Sequence, residues 1–138
     1  MAKGELRKIL TDKGLARLGD AYVNFIYSLA LTEIEGAPTG VKVSDRILAE
    51  AAKASGLKGI LPKRTGRDDV ANAVEALLVY AWRHKLMTSE EAIDILKRNP
   101  NPRESFTHII EVTAKRVQSL HGFRELGQIT NMESHTLE

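Results

Sequence analysis

Residues 19–32 read GDAYVNFIYSLALT and residues 70–82 read VANAVEALLVYAW. In the first stretch Asp20 is the only acidic or basic side chain, and in the second it is Glu75. A helix that is hydrophobic all round is normally buried, and an ionised carboxylate there is costly unless a partner or a metal compensates it. Neither stretch supplies a Lys or Arg. The pattern predicts two central, fully buried helices that cross and bring Asp20 and Glu75 together, with a hard divalent cation, Mg²⁺ or Mn²⁺, neutralising them. Two plainer arrangements stand beside this one. Asp20 can be a surface or helix-terminal carboxylate, and Glu75 a core carboxylate bonded to a distant Arg17 or Arg83.

Around these stretches the chain is of ordinary globular composition. Its 138 residues, 43% hydrophobic and 28% charged, suffice for one core without disulfides. The absence of cysteine excludes a disulfide scaffold, thiolate chemistry and a zinc ribbon. Met1 to Leu10 has no continuous apolar run, so no signal peptide is expected. Ala21 to Leu31 is interrupted by Asn24 and Ser28 and falls short of the roughly 20 residues of a membrane span. The expectation is a soluble, cytoplasmic protein without a membrane partner.

The net charge of +2 does not by itself mark a nucleic-acid binder, but its distribution is uneven. Lys53, Lys58, Lys63, Arg64 and Arg67 share a stretch with Gly56, Gly59, Pro62 and Gly66 and no acidic residue. A basic loop of this kind can meet phosphates or can be a solvated connector.

The remaining punctuation predicts helices throughout. Glu5 to Leu10 reads as a short helix, and the first apolar helix runs from about Leu15 to Glu35, stopped by Gly36, Pro38 and Gly40. Ser44 caps a helix with Ile47, Leu48, Ala51 and Ala54 on one face, ending near Gly56. Asp68 or Asp69 caps the second apolar helix, which reaches about Leu86 with Arg83, His84 and Lys85 at its C-terminal end. Thr88 with Glu91 has capping-box spacing for a helix to Arg98. Asn101 and Pro102 start the last one, in which Phe106, Ile109, Ile110, Thr113, Val117 and Leu120 form a stripe until Gly122. The expected architecture is a single all-α bundle of about six helices over residues 1–122, with a loose tail over 123–138. Tyr22, Phe25, Tyr27, Tyr80 and Trp82 are expected at core positions. His84, His108, His121 and His135 show no metal-binding spacing, and neither a hydrolase nucleophile elbow nor a phosphate-binding glycine loop is present.

Asp68, Asn72 and Glu75 fall within an arc of about 60° on one helix face, and Asn24 follows Asp20 by one turn. Leu18-Gly19-Asp20-Ala21 matches the Leu-Gly-Asp-Ala core of the ribonuclease III signature helix. Ala71-Asn72-Ala73-Val74-Glu75-Ala76-Leu77 resembles that family's second motif, Ala-Asp-x-x-Glu-Ala-Leu. The resemblance covers roughly Leu15 to Leu86, with the later helices completing the nuclease domain. It includes no double-stranded-RNA-binding domain and in this respect is closer to the short, single-domain Mini-ribonuclease III type. Two positions depart from the family pattern. Ala16 stands where the larger enzymes carry Glu, as in the Mini type, with Arg17 at the usual Phe, and Asn72 replaces the second motif's Asp. Asp68, one turn before Asn72, offers a replacement charge.

The resemblance implies a ribonuclease III endonuclease-domain fold and a metal-dependent endoribonuclease that hydrolyses phosphodiester bonds of structured or double-stranded RNA. Asp20 and Glu75 would hold Mg²⁺ or Mn²⁺ with help from Asp68, while Asn72 and Asn24 orient water or phosphate. The family works as symmetric homodimers, and Lys58, Lys63, Arg64 and Arg67 are the candidates for duplex contacts. Two alternatives belong to other classes. One is a catalytically impaired ribonuclease III-like RNA-binding or ribonucleoprotein component, favoured by Asn72. The other is a helical protein-interaction dimer that uses the Phe106 to Leu120 stripe as its interface.

Overall fold

A computed structural model describes the backbone of residues 3–134 and the side chains of residues 4–120. Six α-helices follow one another: α1 (Lys3–Leu10), α2 (Lys13–Glu35), α3 (Asp45–Ser55), α4 (Arg67–Arg83), α5 (Ser89–Lys97) and α6 (Pro102–Ser134). One 3₁₀ turn, Leu57–Ile60, follows α3, and no strand occurs among the described residues. The all-α bundle expected from the helical periodicity is the observed fold.

The local signals act as their chemistry requires. Ser44 accepts from the Ile47 N–H at 3.2 Å to open α3, and Thr88 accepts from the Glu91 N–H at 3.1 Å to open α5. Gly36 and Gly56 end α2 and α3 in the left-handed region, with φ of 78° and 87°. The start of α2 lies slightly earlier than the apolar pattern suggests, because Asp12 caps it by accepting from the Leu15 N–H at 2.9 Å. The start of α4 differs from expectation. Gly66 occupies the cap position without a side-chain bond, and Asp68 and Asp69 sit inside the first turn, where their charge still complements the helix dipole. That helix ends at Arg83, and Lys85 turns the chain with φ of 60°. Gly122 does not end the last helix, whose backbone continues to Ser134. The expectation of a loose 123–138 tail otherwise falls on side chains outside the described residues.

The centre of the bundle is α4, packed most extensively against α2 and flanked by α1, α3 and α6. Ten of its residues are buried, among them Val70, Val74, Leu77 and Leu78. The Phe106, Ile109, Ile110, Thr113 and Val117 stripe of α6 is also core, so it is not available as the interface of a protein-binding dimer. In contrast, α2 is not buried all round. Its inward stripe is Ala16, Gly19, Val23, Ile26 and Ala30, while Leu18 and Phe25 face outward with 45% and 59% exposure. Trp82 is likewise 44% exposed and stacks on Tyr22 with ring centroids 5.4 Å apart. Periodicity misreads these positions because α2 lies at the edge of the bundle, where one stripe suffices for packing and the opposite apolar side stays open. Among the described residues no helix is long and apolar enough to cross a membrane.

Where α2 crosses α4 the two backbones nearly touch. A β-carbon built on Gly19 would lie 2.1 Å from the carbonyl oxygen of Glu75, so only glycine fits. The residues beside this contact are the two carboxylates that stood out in the sequence.

Candidate functional site

The crossing brings Asp20 and Glu75 together at the wall of an open cleft of about 840 Å³. From α2 come Ala16, Arg17 and Asp20, and from α4 Asp69, Asn72 and Glu75. Lys42 and Asp45 close one side, and Leu61, Pro62 and Thr65 of the basic loop close another. Glu75 is 4% exposed, whereas the Asp20 side chain is 48% exposed.

The two carboxyl groups hydrogen-bond to each other, and their environments drive their acidities apart. Burial, reinforced by the bond to Asp20 and by the charges of Asp20 and Asp45, pushes Glu75 up to about 8. Asp20 is held below its ordinary value, chiefly by the hydrogen bond from Lys42 and further by Glu75 and Asn24. The pair therefore carries one proton at neutral pH, on Glu75, with the ionised Asp20 facing Lys42 at 2.9 Å. Of the two plainer arrangements, an arginine partner for Glu75 is not observed, since Asp20, Asp45 and Lys42 are the charged groups beside it, while Asp20 is half-exposed but pairs with the Lys42 ammonium at the same site. The basic partner, which neither apolar stretch supplies, comes from outside both. Lys42 reaches Asp20 from the segment between α2 and α3, beyond either apolar stretch.

The donor set fits a hard cation of the Mg²⁺ class. Two carboxylates with an amide oxygen on the next turn match how Mg²⁺ is held, by one or two carboxylates with waters and phosphate completing the octahedron. Among the described residues no group of three or more His, Cys, Asp or Glu side chains is arranged to hold a metal ion, so a cation here would rest on Asp20 and Glu75 alone, with water and substrate supplying the other ligands.

The other predicted site residues are distributed around this centre. Asn72 is exposed and lines the cleft. Asp68 does not line it, because the side of α4 that faces the cleft carries Asp69, Asn72 and Glu75. Instead its side chain hydrogen-bonds to Asp45. Asp45 is raised by burial first and then by Asp68. Lys58 lies on the 3₁₀ turn, Lys63 and Arg64 sit exposed between the lining residues Pro62 and Thr65, and Arg67 opens α4. Sequence reasoning missed Lys42, Asp45, Asp69 and the cleft cations Lys13 and Arg17. Asp45 follows a Ser cap, where an acidic residue is read as a dipole complement, and Lys42 is a single lysine in a loop. The available signal was the polar series Asp20, Asn24, Ser28 and Thr32, which repeats every four residues on an otherwise apolar helix and needs a partner.

A protein-family model described as Ribonuclease III matches residues 13–124. The chain belongs to the ribonuclease III family. The match spans every element from α2 to beyond the described side chains of α6, including both carboxylate-bearing helices. As a member of the ribonuclease III family the chain has the all-helical nuclease-domain fold and is assigned, at the level of the family, to ribonuclease-type RNA processing. No curated protein matches the chain.

Proposed function

We propose that the protein is a divalent-cation-dependent endoribonuclease that cuts phosphodiester bonds of structured or double-stranded RNA. The observation that carries this reading is the meeting of Asp20 and Glu75 at the α2–α4 crossing in an open cleft. Two ionised carboxylates in this position repel each other, and a divalent ion is the natural compensation. When bound, Mg²⁺ would align a phosphate, lower the pKa of a water and stabilise charge on the leaving oxygen.

The chain's own residues divide the remaining work. Asp20 and Glu75 would supply the anionic oxygens that hold the cation, with the Glu75 proton passing to solvent on binding. The Asn72 amide, one turn before Glu75 and exposed to the cleft, orients water or phosphate. Lys13 and Arg17 line the cleft and Lys63 and Arg64 stand between its lining residues Pro62 and Thr65; with Lys58 and Arg67 of the same basic segment they would meet duplex phosphates. An A-form duplex is wider than one such cleft, and the exposed apolar stripe of Leu18, Phe25 and Trp82 supports a homodimer that extends the groove across two copies.

Cleavage of a duplex RNA with Mg²⁺, with chelator, and by Asp20→Ala and Glu75→Ala tests the proposal. Cutting should require the cation and fall at least about a hundredfold in either variant. Activity that survives both substitutions refutes the assignment. A second reading, an RNA-binding member that has lost cutting, draws on the neutral Asn72 in place of the motif's Asp. It predicts duplex binding with no cation-dependent product.

A further inference from the structure

Asp20, Asn24, Ser28 and Thr32 recur at every fourth position of α2 and form a ladder along one side of it. Four helical residues rise about 6 Å, close to the rise of two residues of extended chain. An extended strap laid antiparallel along the ladder therefore meets one rung with every second residue. Residues 39–43 do this. The Thr39 N–H donates to Thr32 Oγ1 at 3.0 Å, the Val41 N–H to Ser28 Oγ at 2.9 Å, and the Val43 N–H to Asn24 Oδ1 at 2.8 Å. The Thr32 and Ser28 hydroxyls donate back to the Thr39 and Val41 carbonyls at 3.3 and 3.2 Å. Asp20 is the rung that remains, and the strap meets it with a side chain: Lys42 Nζ lies 2.9 Å from Asp20 Oδ1, the oxygen that also accepts from Asn24 Nδ2 at 3.3 Å.

Lys42 is thus delivered to the carboxylate by a fixed backbone register, even though its side chain is 68% exposed. We infer that Lys42 is a built-in counter-ion of the two-carboxylate site, which competes with the divalent cation for Asp20 and sets how much cation the site needs. The inference rests on the cation site proposed above. An ammonium in contact with Asp20 Oδ1 occupies one of the few anionic oxygens the cation would use, and it repels the incoming charge. A cation that displaces this contact would leave the ammonium at the mouth of the cleft, where a phosphate can take it.

Titration of the whole chain with Mn²⁺ in a calorimeter, at fixed pH and salt, tests this. Lys42→Met keeps a long stem without charge and should bind Mn²⁺ roughly 1.5- to fivefold more tightly than the natural chain, the range expected for an exposed ion pair that opposes the ligand. Lys42→Arg should stay close to the natural affinity. Ser28→Ala, which removes a rung two turns from Asp20, should shift affinity in the direction of Lys42→Met. Equal or weaker Mn²⁺ binding by Lys42→Met overturns the inference. It leaves the nuclease reading in place if the natural chain binds Mn²⁺ and Asp20→Ala does not. Absence of Mn²⁺ binding in every form removes both.

Discussion

The Gly19 α-carbon faces the carbonyl of Glu75 so closely that an added β-carbon would stand 2.1 Å from the oxygen and 2.4 Å from the carbon. This contact sets the distance between α2 and α4 and thereby places the Asp20 carboxyl beside that of Glu75. The obstructing atoms are helix backbone, which cannot rotate away as a side chain would.

Gly19→Ala should therefore destabilise the fold by about 3 kcal/mol or more, at the upper end for overpacking, and separate the carboxylates. Urea unfolding gives the stability loss. A change under about 1 kcal/mol would mean that the helices do not meet as described.

The proton on Glu75 links stability to pH. Its folded value of about 8 lies above the ordinary 4.5, so the folded chain holds a proton that the unfolded chain has lost between these limits. This contribution is fully present below 4.5 and disappears as pH rises through 8. Asp45, also raised, acts in the same sense, while the lowering at Asp20 is felt only in acid below its ordinary 3.8. In cation-free buffer the Tm should fall between about pH 5 and pH 8.5, and Glu75→Gln should flatten the slope. Saturating Mg²⁺ should raise the Tm most at the alkaline end. A pH-independent Tm for the natural chain would contradict the buried, protonated Glu75.

Asn72→Asp restores the charge that the family motif carries at a position lining the cleft. It should tighten Mn²⁺ binding by about tenfold and raise the cutting rate at low cation concentration. Parallel calorimetry and cleavage assays measure the two effects. Weaker cation binding would show that the amide, not a charge, suits this site.

The outward stripe on α2 predicts self-association. Phe25→Ser with Leu18→Ser removes two exposed apolar side chains without touching the core, so the fold should be unchanged within about 0.5 kcal/mol. Sedimentation should show a dimer for the natural chain and a monomer for the double variant. Identical sedimentation would remove this face as the interface.

Much of the fold was legible because its signals are local. Ser44, Thr88, Gly36 and Gly56 terminate helices through bonds to their near neighbours, and the α6 stripe repeats with the helical period whatever it packs on. The meeting of Asp20 with Glu75 was legible for a different reason: a charge in an apolar run needs compensation, and the family motifs supplied the pairing. What could not be read depended on position in three dimensions. Leu18, Phe25 and Trp82 have core-like identities but lie at the edge of the bundle. Asp68 and Asp69 differ by 100° around α4, and only the packing decides which of them lines the cleft. Lys42 reaches Asp20 through a strap whose register depends on three separate side-chain bonds.

The nuclease proposal rests on Asp20 and Glu75 jointly holding a divalent ion. Anomalous diffraction from crystals of the whole chain soaked in Mn²⁺ decides whether they do. A single strong peak is expected about 2.1 Å from an oxygen of each carboxylate, with the direct bond between the two groups broken and Lys42 withdrawn from Asp20. A peak elsewhere in the molecule, with Asp20 still paired to Lys42 and bonded to Glu75, would contradict it.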